Sequence, residues 1–105
     1  MSKKDNILKL VTFLALALSH KIGSQVNQNE LYAGKYKKEY DTYLQQAKEI
    51  AFEENFNYYD KTEIKEKLTK KLRTELEKRD FIDNKKFDLI EGEVNNALST
   101  LNLNN

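Results

Sequence analysis

Apolar residues recur at steps of three and four in four segments of this chain, and this spacing predicts four α-helices. The first helix is expected over about Lys3 to Ile22. It is apolar over most of its circumference, which is typical of a buried helix. Gly23 is expected to end it, because glycine accepts the left-handed conformation found just after many helices. The segment GSQVNQN then predicts a loop.

The second helix is expected over about Asn29 to Glu54 and has a tyrosine-rich face. The residues of that face are Tyr32, Tyr36, Tyr40, Tyr43, Ala47 and Ile50. Tyrosine buries its ring well while its hydroxyl stays in water, so this face predicts a core edge or an interface rather than a platform for stacking bases. The first two helices are therefore predicted to form a hairpin over residues 3–54.

The third helix is predicted to follow a turn at NFNYYDK, with Asp60 as its N-cap and Glu63 completing a capping box. Its apolar residues form a narrow stripe on a charged segment, which predicts a helix that is largely solvated or contacts another chain. The candidate partner or subunit interface is thus Ile64, Leu68, Leu72 and Leu76.

The fourth helix is predicted after the connection RDFIDNKK, with Asp83 as its cap. Its packing seam is Phe87, Ile90, Val94, Ala97, Leu98 and Leu101. We therefore expect an all-α fold of about four helices in one domain, residues 1–105, with the hairpin followed by two amphipathic helices over residues 61–101. The absence of proline and the presence of only three glycines agree with long helices.

The apolar run NILKLVTFLALALSHKIG has three interpretations, namely a secretory signal, a membrane span or a buried helix. Lys3 and Lys4 fit a signal, whereas Asp5 and Lys9 do not. The apolar stretch from Ile7 to Leu18 is twelve residues and is expected to be too short to cross a bilayer. We favour the buried helix, and membrane association is not expected.

Composition excludes several kinds of site. Without cysteine there is no disulfide or thiolate metal site, and a single histidine, His20, excludes a histidine metal cluster. Ser19 and His20 are adjacent, but neighbours on a helix point about 100° apart and cannot act as nucleophile and base. His20 is expected to be an ordinary helix-end residue. We expect no catalysis, cofactor, metal or small-molecule substrate.

Charge is nearly balanced, with a formal net charge of +1 that gives no overall attraction to nucleic acid. Residues 61–80 carry eight basic and five acidic side chains, and residues 81–105 carry two basic and four acidic. This difference predicts that the last two helices pack side by side. The basic run KEKLTKKLR is diluted by nearby glutamates, so specific DNA recognition is not expected.

The segment ALALSHKIGSQVNQNELYAGKYKKEYDTYLQQAKE, Ala15–Glu49, resembles the helical hairpin of head-to-tail connectors of tailed phages. These are the adaptor proteins of short-tailed phages, also called tail tubular or head-completion proteins. The resemblance covers about a third of the chain, and nothing similar is found in residues 60–105. The expected core of the hairpin is Leu14, Leu18, Ile22, Val26, Leu31, Tyr36, Tyr40, Leu44 and Ala47.

The resemblance implies a structural virion protein that is made in the host cytoplasm. Identical subunits would form a ring beneath the portal, bind the tail and surround DNA that passes without sequence recognition. Two other hypotheses stay open on the residues alone. One is a small phage membrane protein of holin type, with Ile7–Ile22 in the bilayer. The other is a helical inhibitor or immunity-type module that binds one protein.

Overall fold

The computed structural model describes residues 2–26, 30–79 and 83–105, with side chains from residue 35 onward in the second segment. These segments contain helices and no strand, which confirms the all-α prediction. A short 3-10 helix, Asn84–Leu89, precedes the last α-helix. The four α-helices are α1 (Lys3–Val26), α2 (Glu30–Glu53), α3 (Tyr58–Glu77) and α4 (Ile90–Thr100).

Helix α1 is the central helix and contacts α2, α3 and α4. Asn6 Nδ2 donates to Glu54 Oε1 over 2.9 Å, so the start of α1 meets the end of α2 and the two helices run antiparallel. Lys3 Nζ lies 2.9 Å from Asp60 Oδ2, so α1 and α3 begin at the same end of the bundle. The buried residues of α1 are Ile7, Leu10, Val11, Leu14, Ala15, Ala17, Leu18, Ser19, Ile22 and Gly23.

The expected end of α1 at Gly23 is wrong. The helix continues to Val26, and Gly23 is buried within it. No described glycine has a positive φ, so Gly23 does not adopt the left-handed conformation of a helix end. Burial of Ile22 and Gly23 against the rest of the bundle favours continued helix, because a helix satisfies its own backbone hydrogen bonds.

Length alone does not exclude α1 from a membrane, contrary to expectation. Among the described residues it is the helix long and apolar enough to cross one, with a mean hydropathy of 1.4 over its 18-residue window. However, 61% of that window is buried inside the protein, and the core helix of a bundle passes the same test as a span. Burial therefore accounts for its composition.

The expected core of the hairpin lies in or beside the core wherever its side chains are described. Leu14, Leu18, Ile22, Tyr36 and Ala47 are buried. The partly buried side chains of Val26, Tyr40 and Leu44 pack against these residues. Leu31, like Tyr32 of the tyrosine face, lies outside the described side chains.

The expected interface on α3 is wrong, because its apolar stripe faces inward. All four residues of the stripe have 0% of their surface exposed and belong to the same core as α1. A narrow stripe is enough to bury α3 on one side, because α1 and α4 cover that side while the charged faces of α3 remain in water. The residues reassigned from interface to core are Ile64, Leu68, Leu72 and Leu76.

The helix starts are only partly as expected. The N-cap of α3 is Asn57, and Asp60 is its capping-box partner three residues later rather than the cap itself. Asn57 Oδ1 accepts from the Asp60 backbone N–H over 2.9 Å, and Asp60 Oδ2 accepts from that of Asn57 over 3.0 Å. Asp83 caps the last helical region as predicted, although that region begins as the 3-10 helix.

Helices α3 and α4 contact each other, as their charges predicted. However, among the described residues the ion pair of α4 is with α1 and not with α3: Glu93 Oε2 lies 2.7 Å from Lys21 Nζ. Both α3 and α4 contribute apolar side chains, such as Leu68 and Val94, to the common core.

Candidate interaction surface

The exposed large apolar side chains of the described residues belong to helix segments near one end of the bundle. There α2 ends, α3 begins and α1 starts. Leu8 is 62% exposed, Phe52 87%, Tyr58 64% and Tyr59 79%. We call these four residues the aromatic corner. Such side chains are costly to leave in water, and aromatic side chains are enriched at protein interfaces.

The backbone beneath the aromatic corner is held in place by several contacts. Phe56, in the connection between α2 and α3, is 7% exposed and anchors that connection in the core. The capping box of Asn57 and Asp60 fixes the first turn of α3. The Tyr58 and Tyr59 rings meet edge to face, with 5.7 Å between centroids. The corner is thus presented by an ordered backbone, which lowers the entropic cost of binding.

The carboxylate nearest Tyr58 and Tyr59, that of Asp60, pairs with Lys3 within the chain. The Asn57 backbone N–H and then the Lys3 ammonium lower the pKa of the Asp60 carboxyl below its usual 3.8. Asp60 therefore stays ionised at neutral pH, next to the positive end of α3. A small cavity of about 220 Å³ adjoins the corner and is lined in part by Phe52, Phe56, Lys61 and Leu101.

His20 lies within α1, six residues before its last residue, Val26, so the expectation of a helix-end residue is wrong. Its ring stacks on Tyr43, with 5.8 Å between centroids, and lies 5.6 Å from the Tyr36 ring. His20 Nδ1 is 3.1 Å from Glu39 Oε2, an ion-pair distance that lacks hydrogen-bond geometry. The residue joins α1 to the tyrosine face of α2, which serves as a core edge.

Lys86 is a buried charge that sequence reasoning missed, and its side chain is 2% exposed. Its ammonium donates to the carbonyl oxygen of Arg79 over 2.6 Å and lies 5.1 Å from the Phe87 ring centroid. A cation that binds a carbonyl just beyond a helix C-terminus is favoured by the helix dipole. Lys86 thus attaches the 3-10 helix to the end of α3.

Comparison with protein-family models, curated proteins and solved structures finds no match to this chain. Within the described residues, no three histidine, cysteine, aspartate or glutamate side chains are placed to hold a metal ion.

Sequence reasoning also missed the aromatic corner, although two signals point to it. Phe52 follows Ile50 by two positions, about 200° around the helix, so it faces away from the apolar side of α2. Tyr58 and Tyr59 are adjacent in a helix, so at least one of the two side chains must face away from the core.

Proposed function

We propose that this chain is a structural subunit that works by binding other proteins, in the manner of a phage head-to-tail connector. The observation that carries the proposal is the aromatic corner, four large apolar side chains that the chain itself leaves exposed. The resemblance of Ala15–Glu49 to connector hairpins supplies the class. In this proposal, the corner of one subunit packs on the next subunit of a ring, in place of the α3 stripe.

A ring needs a head-to-tail contact in which two different surfaces of the subunit meet. The aromatic corner lies at one end of the bundle and offers one of these surfaces. The ring would sit between portal and tail and surround DNA without reading its sequence. The near-neutral net charge is compatible with DNA passing through.

The test is electron microscopy and native mass spectrometry of the chain, alone and mixed with portal and tail proteins of short-tailed phages. We expect closed rings of one subunit number and a complex with at least one of the two proteins. A permanent monomer that binds neither protein would refute the proposal. A one-to-one complex with a host protein would instead support an inhibitor or immunity-type module.

The membrane alternative has one specific observation in its favour, the length and hydropathy of α1. Insertion into a membrane would require α1 to leave the core. The fully buried Leu68 and Leu72 of α3 would then be exposed to water, which is unfavourable. Recovery of the chain in the membrane fraction, released only by detergent, would favour the holin-type hypothesis over the connector.

A further inference from the structure

Helices α3 and α4 form the two walls of a groove on the surface of the molecule. Two adjoining cavities, of about 470 and 490 Å³, make up this groove. Lys65 of α3 and Asn95 of α4 line both cavities, so the groove is continuous past them. We call it the α3–α4 groove.

The α3 wall of the groove is basic. Lys61, Lys65 and Arg73 line it, with Thr69 between the last two, so the wall residues are spaced by four. No ion pair joins any of these three cations to a carboxylate in the described part of the chain. Each of these three cations therefore lines the groove without a described carboxylate within ion-pair distance.

Most other cations of α3 are paired, which makes this wall distinct. Lys67 binds Glu63 over 3.2 Å. Glu75 lies within ion-pair distance of three further cations, which are Lys71, Lys78 and Arg79. Lys70 is also exposed but does not line the groove, and it therefore provides a matched control.

The opposite wall changes in character along its length. Near Lys61 and Lys65 it consists of uncharged amides and a hydroxyl, from Asn95, Asn96, Ser99, Asn104 and Asn105. Near Arg73 it carries two carboxylates, Asp88 and Glu91, together with Phe87. One end of the groove is thus positive, and the other contains both signs.

The positive end is closed by the last residues of the chain. Asn102 adopts a left-handed conformation, with φ of 57°, and turns the backbone back toward the bundle. Leu103 is 4% exposed and anchors this turn in the core. Asn105 Nδ2 donates to Thr62 Oγ1 of α3 over 3.2 Å, so the wall is held against α3.

We propose that the α3–α4 groove binds an amphipathic helix of a partner protein, with a pair of acidic residues four apart. Lys61 and Lys65 are one such step apart, a rise of about 6 Å along α3, and carboxylates at i and i+4 of a facing helix have the same spacing. Apolar side chains further along the bound helix would contact the partly exposed Phe87. Basic residues of the partner would meet Asp88 and Glu91, which fixes the direction of the bound helix.

A nucleic acid fits the groove less well than an acidic helix. A strand carries phosphates along its whole length, and Asp88 and Glu91 would repel those at one end. Stacking also needs a free aromatic face, but the Arg73 guanidinium lies 5.4 Å from the centroid of Phe87. This inference goes beyond the proposed ring, because the groove would recruit a protein other than a like subunit.

The experiment selects binders to the intact chain from a displayed library of amphipathic helices. We expect enriched sequences to share an acidic pair four residues apart. A selected peptide should shift backbone amide NMR signals of residues 61–73 and 87–105 and leave those of α2 unchanged. Peptides that bind without the acidic pair, or outside the groove, would overturn the proposal, as would a selection that enriches nothing.

Exchanging the charges of Lys65 and of the peptide residue opposite it distinguishes a direct contact from a structural effect. Lys65→Glu should weaken a selected peptide about fivefold, the scale of an exposed ion pair, whereas Lys70→Glu should leave its affinity unchanged. A peptide in which the matching glutamate is lysine should recover affinity for Lys65→Glu. Equal losses from both protein variants, or no recovery, would contradict the proposal.

Two further measurements test whether the groove binds something other than an acidic helix. Single-stranded oligothymidylate that shifts the groove amides and displaces the peptide would replace the acidic helix with nucleic acid. Groove shifts that depend only on protein concentration would replace it with a second copy of the chain. Lys65→Glu should leave the subunit number of any ring unchanged, so failure here is distinguishable from failure of the proposed function.

Discussion

His20 shows how burial sets the behaviour of one titratable residue. Burial lowers its pKa below the usual 6.5, and Glu39 opposes this shift. Arg79 and Lys35 lower it further, while Glu75 also raises it. The neutral imidazole is therefore favoured in the folded state, where it stacks on Tyr43 and lies beside the tilted ring of Tyr36.

The free energy of unfolding should fall as the solution is acidified below about 6.5. The unfolded chain binds the proton more readily, so the contribution of His20 is complete above that pH and is lost as pH falls through the lower folded pKa. His20→Phe keeps a ring between the tyrosines without the titration. Urea unfolding on both sides of this pH should show a smaller drop for the variant, and identical drops would contradict the assignment.

The capping box of α3 is a second residue-scale feature, and Asn57→Ala should lower the free energy of unfolding by about 1 kcal/mol. The change leaves the Asp60 backbone N–H without its acceptor at the start of the helix. Asn55→Ala is a matched control, since Asn55 is exposed in the same connection and forms no side-chain hydrogen bond with described residues. Equal effects of the two changes in chemical denaturation would argue against the box.

At the scale of elements, α3 shows what an apolar period can and cannot predict. Steps of four correctly place Ile64 and Leu68 on one face, because helix geometry alone decides that. What covers the face depends on α1, whose residues are more than thirty positions away in sequence. The same limit applies to the α3–α4 groove. The sequence shows the four-residue spacing of Lys61 and Lys65, but only the packing of α4 places Asn95 opposite them.

Leu68→Ala tests the inward direction of the α3 stripe. Leu68 is fully buried, so its truncation should cost about 2–5 kcal/mol of the free energy of unfolding. Lys70→Ala, on the exposed side of the same helix, should change it by less than about 0.5 kcal/mol. A Leu68→Ala variant as stable as the original chain, but altered in self-association, would restore the stripe as an interface.

At the scale of the whole molecule, the fold hides its most apolar helix and exposes aromatic side chains elsewhere. α1 is enclosed by contacts with α2, α3 and α4, which accounts for the run that resembled an export signal. The aromatic corner and the α3–α4 groove are the two surfaces that we propose for partners. Both lie at element ends or between elements, so the overall packing creates them rather than any single helix.

The oligomeric state tests the central claim most directly, and sedimentation velocity measures it. The original chain should sediment as a ring of one size, whereas Phe52→Ser/Tyr59→Ser should sediment as a monomer with an unchanged free energy of unfolding, because both side chains are exposed. Lys70→Ser should behave as the original chain does. A chain that remains monomeric at every concentration, or a double variant that forms the same ring, would contradict assembly through the aromatic corner.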